Sequence, residues 1–314
     1  MKYTFLFLFS ISIVTKGQDQ TIIKEVFKLS GHTGGIASLA FSPDGKYLAS
    51  GGQDESLKIW DLSSKKEIKT IRKFGSTPTS LAFSPQNGFL AVGFYEKLRV
   101  YKPQSWKKSS EKSLFPAFIE SIAISPDGKQ LIASSWKDRS LLSMDFPDLS
   151  NIKELKENNW TDVISYSSDG QLFTTGSHAN SIKIWESSTG SLINQFQNHK
   201  DWIYGCSFFD KNSKIVSAGL DTQIVISDSK SGKILESKKG HNAGISYSLV
   251  TKDENYLVTI SLDKSLKIWK LVPLELVATF SESKEKLISL ALSTDGKWAA
   301  TGGSDAIVYL IRLK

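Results

Sequence analysis

The chain has 314 residues, 40% hydrophobic, 11% aromatic and 23% charged, which excludes a disordered or collagen-like polymer and supplies material for a sizeable core. A single cysteine, Cys206, rules out an intrachain disulfide framework and a cysteine-built zinc site. The net charge of +7 raises anionic partners, but the lysines are scattered in pairs such as Lys65-Lys66, Lys107-Lys108 and Lys238-Lys239 with acids between them, so a solvated basic surface is expected and no nucleic-acid footprint.

From the first residue, Lys2 followed by the apolar stretch Tyr3 to Val14 and the small residues Thr15 and Gly17 predicts an export signal over residues 1–17, cleaved before Gln18. Twelve apolar residues are too few to span a bilayer as a helix, and no later segment is long and apolar enough, so no membrane span is expected. The predicted mature chain, residues 18–314, is therefore exported, to a periplasm or by secretion. Retention in the cytosol is the alternative if the signal is not used.

Beyond that point the sequence repeats itself. The block Ser-Leu-Ala-Phe-Ser-Pro-Asp-Gly at residues 38–45 returns at 80–85, 121–128 and 289–296, with weaker copies near Ser165, Cys206 and Tyr247. A second block, Leu-Lys-Ile-Trp ending at Trp60, returns as Ile-Lys-Ile-Trp185 and Leu-Lys-Ile-Trp269. Taking Trp60 as marker, the copies fall at 60, 101, 144, 185, 227, 269 and 311, a period of 41–43 that predicts seven supersecondary units. Within each unit, apolar and small residues alternate over short runs separated by Asp-Gly turns, with no helical periodicity. Four short strands per unit, without room for crossover helices, predict small antiparallel sheets packed face to face.

Gly31-His32, Gly240-His241, the Gly-Gly-Gln-Asp54 turn and Lys-Ile-Trp60-Asp61 resemble the WD-repeat β-propellers, and the resemblance covers about residues 21–314. It implies an all-β, seven-bladed β-propeller of four-stranded antiparallel blades, a single domain whose ring is closed by an N-terminal strand, here Ile22 to Leu29. It also implies a structural role for the histidines. Three groups look like catalytic triads: His32, Ser50 and Asp54; His199, Ser217 and Asp221; His241, Thr259 and Asp263. In the family such groups form internal hydrogen-bond chains, here ending on Trp60 and Trp269, while blade five has Ser227 in place of the tryptophan. Threefold repetition argues for structure, since a catalytic centre is needed once. No phosphate loop, metal-spaced histidine pair or complete calcium loop is present in the sequence, so neither a cofactor nor a metal is expected.

The resemblance further implies three rim-facing positions per blade. They place Phe94 and Tyr95 on blade two, Phe118, Glu120 and Lys137 on blade three with Trp136 adjoining, Trp160, Asp162 and His178 on blade four, and Trp202 and Tyr204 on blade five. Of eight tryptophans, Trp136, Trp160 and Trp202 are surplus to the repeat's packing. Clustered rim aromatics are typical of partner hot spots. The expected function is a non-catalytic interaction scaffold docking a protein or peptide on this rim. A second reading is a propeller holding a small molecule or glycan at the channel mouth, with Asp162, Glu120 and His178 as the groups available for hydrolysis. A third leaves the aromatics packed inward over the channel.

Overall fold

The computed structural model describes residues 22–72, 74–137 and 139–314; the leader expected at residues 1–17 lies outside them. Every regular element among the described residues is a β-strand. In blade one the strands Ile36–Phe41, Tyr47–Gly52, Leu57–Asp61 and Lys66–Ile71 pair in chain order, all antiparallel. Blades four, five and six repeat this arrangement as separate four-stranded sheets. Blade seven takes three strands from the chain's end, and its fourth is Ile23–Ser30, which pairs with Ile307–Leu313. The seven innermost strands neighbour one another in an unbroken cycle, blade seven against blade one. The ring is thus closed, and the exposed sheet edges that two unmatched end blades would present are absent.

Blades two and three depart from the expected separate sheets. They share one strand, Lys108–Ile124, whose first part is the outer strand of blade two and whose last part is the inner strand of blade three. The cause is local: the segment Leu114-Phe115-Pro116-Ala117 carries no Gly-His corner like that at Gly31-His32, so the chain stays extended between the two blades.

Serines on the inner and second strands tie neighbouring blades together. Ser38 Oγ donates to the Pro78 carbonyl at 2.7 Å, Ser134 Oγ to Thr161 O at 2.9 Å, Ser246 Oγ to Leu287 O at 2.6 Å, and Ser289 Oγ to Ile36 O at 3.2 Å, each bond crossing from one blade to the next. Apolar residues such as Leu48, Ile59 and Trp60 fill the space between the sheets. In the Asp-Gly turns the glycine takes the left-handed conformation, with φ near +70° at Gly45, Gly128, Gly170 and Gly296, and in blade six Glu254 takes it at +59°. The aspartate works through its carboxylate instead: Asp44 Oδ1 accepts from Ser42 Oγ at 2.6 Å and from the Lys46 N–H at 3.1 Å, and Asp127, Asp169 and Asp295 repeat the pattern.

Candidate functional site: hydrogen-bond chains and an aromatic arc at the channel mouth

The histidine groups lie inside the blades. In blade one, Trp60 Nε1–H donates to Ser50 Oγ at 2.8 Å, Ser50 Oγ lies 2.8 Å from His32 Nε2, and His32 Nδ1 lies 2.9 Å from Asp54 Oδ1. One set of protons satisfies every link, with neutral His32 donating from Nδ1 and accepting at Nε2. Blade six repeats it through Trp269, Thr259, His241 and Asp263. Blade five has His199, Ser217 and Asp221 in the same geometry, and there Ser227 Oγ accepts from Asn198 Nδ2 at 2.6 Å. Ser50, Ser217 and Thr259 are wholly enclosed, so no substrate reaches the hydroxyls that a triad would use as nucleophiles. Gly52 lacks a side chain for a steric reason: a Cβ there would stand 2.3 Å from His32 Nδ1.

Burial holds the His32 and His241 imidazoles below the usual histidine range, while hydrogen bonds from Ser56, the Thr33 N–H and His32 outweigh burial at Asp54 and bring its carboxyl down to about 2. Both shifts act in one direction. A histidine with a depressed folded pKa contributes stability that is lost as pH falls below its unfolded value near 6.5. A depressed aspartate contributes stability that is lost as pH falls from about 4 towards 2. Ser50→Ala removes the acceptor of Trp60 Nε1 and the donor to His32 Nε2 together, and is expected to cost about 2–4 kcal/mol in urea unfolding at pH 7. A cost under about 0.5 kcal/mol would show that the chain is dispensable.

The rim residues separate into three groups. Phe94 is not on the rim: it is 2% exposed, edge-on to Phe74 at 5.2 Å with the Arg99 guanidinium 4.9 Å away, and belongs to the core of blade two. Neighbouring residues alternate in direction, so its exposed neighbour Tyr95 takes the outward position and packs edge-on to Phe118 at 5.1 Å. Lys137 also falls one position off. The Trp136 N–H donates to Phe118 O at 3.2 Å, as His178 N–H does to Trp160 O at 3.1 Å and Leu220 N–H to Trp202 O at 2.9 Å. Trp136 is therefore the blade-three counterpart of His178, with 54% of its surface exposed, and Lys137 is exposed one residue further along. The same bonds make Phe118, Trp160 and Trp202 equivalent positions on consecutive blades, hence on one face of the ring.

The third group is compact. His178 stacks on Trp202 with ring centroids 3.7 Å apart and planes 8° from parallel, and meets Trp160 edge-on at 5.2 Å and Tyr204 at 6.4 Å. Beneath it lies Asp162, buried and not on the surface as expected, with Oδ1 2.9 Å from His178 Nε2. Glu120, from the neighbouring blade, stands half-buried on the channel wall. Burial first, and then the charge of Asp162 against the opposing pull of His178, pushes the Glu120 carboxyl up to about 7. Burial also raises Asp162, which His178 partly offsets, and raises Tyr204, to which Asp162 and Glu120 add. A carboxyl balanced near neutrality can hold or release a proton there, and the two acids repel anions.

Two contributors escaped sequence reasoning. Arg139 lies over the Trp160 ring at 5.0 Å, and Tyr247 of blade six is raised by burial and by the charge of Glu120. The position 42 residues after Tyr204 is Ser246; Tyr247, one further on, is paired with Ile260 and packs against the core of blades six and seven.

No helix among the described residues is long and apolar enough to cross a membrane, and no group of three or more metal-ligating side chains converges there. The family described as "WD domain, G-beta repeat" matches residues 23–61, 152–186, 190–228, 232–270 and 274–312, about three fifths of the chain. The longest unmatched stretch, 62–151, contains all but the last strand, Lys153–Leu155, of the joined blades two and three. The chain is 21% identical to "Autophagy-related protein 16" of Arabidopsis thaliana over 90% of its own length and 56% of the relative's. It is 25% identical to "Serine-threonine kinase receptor-associated protein" of Gallus gallus over 57% of its length and 52% of that protein's. Against "p21-activated protein kinase-interacting protein 1-like" of Danio rerio it is 24% identical, over 82% of its length and 69% of the relative's. The chain thus spans little more than half the length of the first two.

Proposed function

The chain belongs to the WD-repeat family, and from that premise we propose that it is a non-catalytic interaction scaffold, exported as residues 18–314, which docks a protein or peptide partner on the aromatic face of blades two to five. The observation that carries the reading is that Tyr95 of blade two, Trp136 of blade three and Trp202 of blade five are all exposed on the face that Phe118, Trp160 and Trp202 define. Large aromatics left in water on one face of the ring suit a partner interface, where they bury much area at little entropic cost. Relatives named for their association with a receptor or a kinase fit an interaction role.

Crosslinking from the source cells tests the site. A protein bound by the wild type and lost, by at least tenfold, in a Trp136→Ala/Trp202→Ala variant of unchanged melting temperature is the expected result; equal capture by the two forms would remove the site from this face. Export rests on the composition of residues 1–17 alone. The purified chain should begin at Gln18, and a cytosolic chain beginning at Met1 would replace export with an intracellular scaffold.

The convergence of Glu120, Asp162 and His178 favours one second reading, a small molecule or glycan at the channel mouth. Glycan arrays and hydrolase assays probe it, with Glu120→Gln as the inactive comparison.

A further inference from the structure

In the inner strands of six blades one residue falls between paired positions as a bulge: Ala37, Glu120, Asp162, Tyr204, Ser246 and Ile288. Thr79, just before the inner strand of blade two, completes the series at the same period. A bulge frees a residue from the ladder and re-aims its side chain. The series contains two acids on neighbouring blades and no lysine or arginine. Their charges are felt by Tyr204 of blade five, whose ring meets His178 at 6.4 Å, so three blades contribute to one space.

The bulge series brings no cationic side chain to that space, and Arg139 is engaged over the Trp160 ring. Among the described residues Glu120 has no hydrogen bond and no ion pair, and the only ion-pair contact of Asp162 is His178. The side chains of Asp162 and His178 are 2% and 8% exposed, yet Asp162 Oδ2, His178 Nδ1 and the neighbouring Trp160 Nε1 have no hydrogen-bond partner. Buried polar atoms are normally satisfied, and unpaired buried carboxylates are costly. The walls are aromatic: Trp202 is exposed, and Trp160 and Tyr204 are half-buried. Ring faces and carboxylates both attract cations, and an organic cation also brings the missing N–H donors. A bare metal ion would find too few ligands.

We propose that the channel mouth between blades three and five is a receptor for one cationic group, the ammonium or guanidinium of a partner's lysine or arginine side chain, held by Glu120 with Asp162 behind it and flanked by Trp202 and Tyr204. The carrier being a peptide rests on the docking reading; the cation site itself does not. Because burial, the charge of Asp162 and the opposing pull of His178 bring Glu120 to about 7, with Tyr204 facing it from blade five, capture of the cation expels its proton, and affinity rises with pH.

The test titrates the full chain, its tryptophans labelled with ¹⁵N, with N-acetyl-arginine methylamide and N-acetyl-lysine methylamide, and with the uncharged N-acetyl-norleucine methylamide. The indole signals of Trp160 and Trp202 should move with at least one cationic amide and not with norleucine. Apparent affinity should fall about tenfold from pH 8 to pH 6, and at least tenfold in Glu120→Gln at pH 8. Asp162→Asn provides a second variant should the first alter the melting temperature. An equal response to norleucine, no response to either cation, or binding unchanged in both variants would overturn the proposal. A partner lost in Trp136→Ala/Trp202→Ala but kept in Glu120→Gln would leave docking standing and remove the cation from it. A cation response without any captured partner would do the reverse.

Discussion

A chain lacking residues 22–30 is expected to melt about 10–30 °C below the full chain and to associate as its concentration rises. The strand Ile23–Ser30 pairs with Ile307–Leu313 from Ile23 to Ser30, and Arg312 reaches back to Glu25 across that pairing. It buries Leu29 fully and Ile23, Val26 and Phe27 in part, against the cores of blades six, seven and one. At about 1.5–3 kcal/mol for each fully buried side chain and less for the others, the loss is roughly 4–8 kcal/mol, a large share of the 5–15 kcal/mol typical of a domain. In a chain of this size each kcal/mol moves the melting temperature by about 2–4 °C. The deletion also leaves Ile307–Leu313 as an unpaired edge, a template for a second chain, which predicts the association. Calorimetry and sedimentation of the two forms check both effects. A monomer melting within about 3 °C of the full chain would mean that the ring holds without its closing strand.

Seven units, their strands and their turns were legible because each is written in short local signals repeated at one period: an alternating run, an Asp-Gly, a Trp after Lys-Ile. What the sequence did not announce is joined by distance. Lys108–Ile124 serves two blades because a corner signal is missing, and an absence is hard to read. Phe94 and Tyr95 are adjacent aromatics of opposite fate, and one residue of register decides which is core. Glu120, Asp162 and His178 could be named as candidates from their repeat positions, but the stacking of His178 on Trp202 above Asp162, within reach of the Glu120 charge, depends on how blades three, four and five face one another.

The same distinction governs the residue between the two apolar positions of the Lys-Ile-Trp block, which reads as a solvated lysine and is not one. Lys183 is 6% exposed and its ammonium bonds to Glu157, itself 1% exposed, from the segment that precedes blade four. Glu157 Oε1 also accepts the Asn158 and Asn159 N–H groups, so one carboxylate fixes both the lysine and the entering chain. Glu157→Ala strands a buried ammonium against Trp185, whose ring lies 5.6 Å from Nζ, and is expected to cost about 3–5 kcal/mol in urea unfolding. Blade one supplies the internal comparison. Lys58 pairs with Glu67 at 2.7 Å, but Glu67 is 32% exposed and Thr70 also accepts from Lys58, so Glu67→Ala should cost about 1 kcal/mol or less. Glu157→Leu/Lys183→Met, which removes both charges and keeps apolar volume, should recover to within about 1 kcal/mol of the wild type. If Glu157→Ala costs no more than Glu67→Ala, water reaches Lys183 and the pair is a surface contact in effect. If the single change is severe and the double one is not, the damage comes from the uncompensated charge, and the pair fixes the entry into blade four without adding net stability.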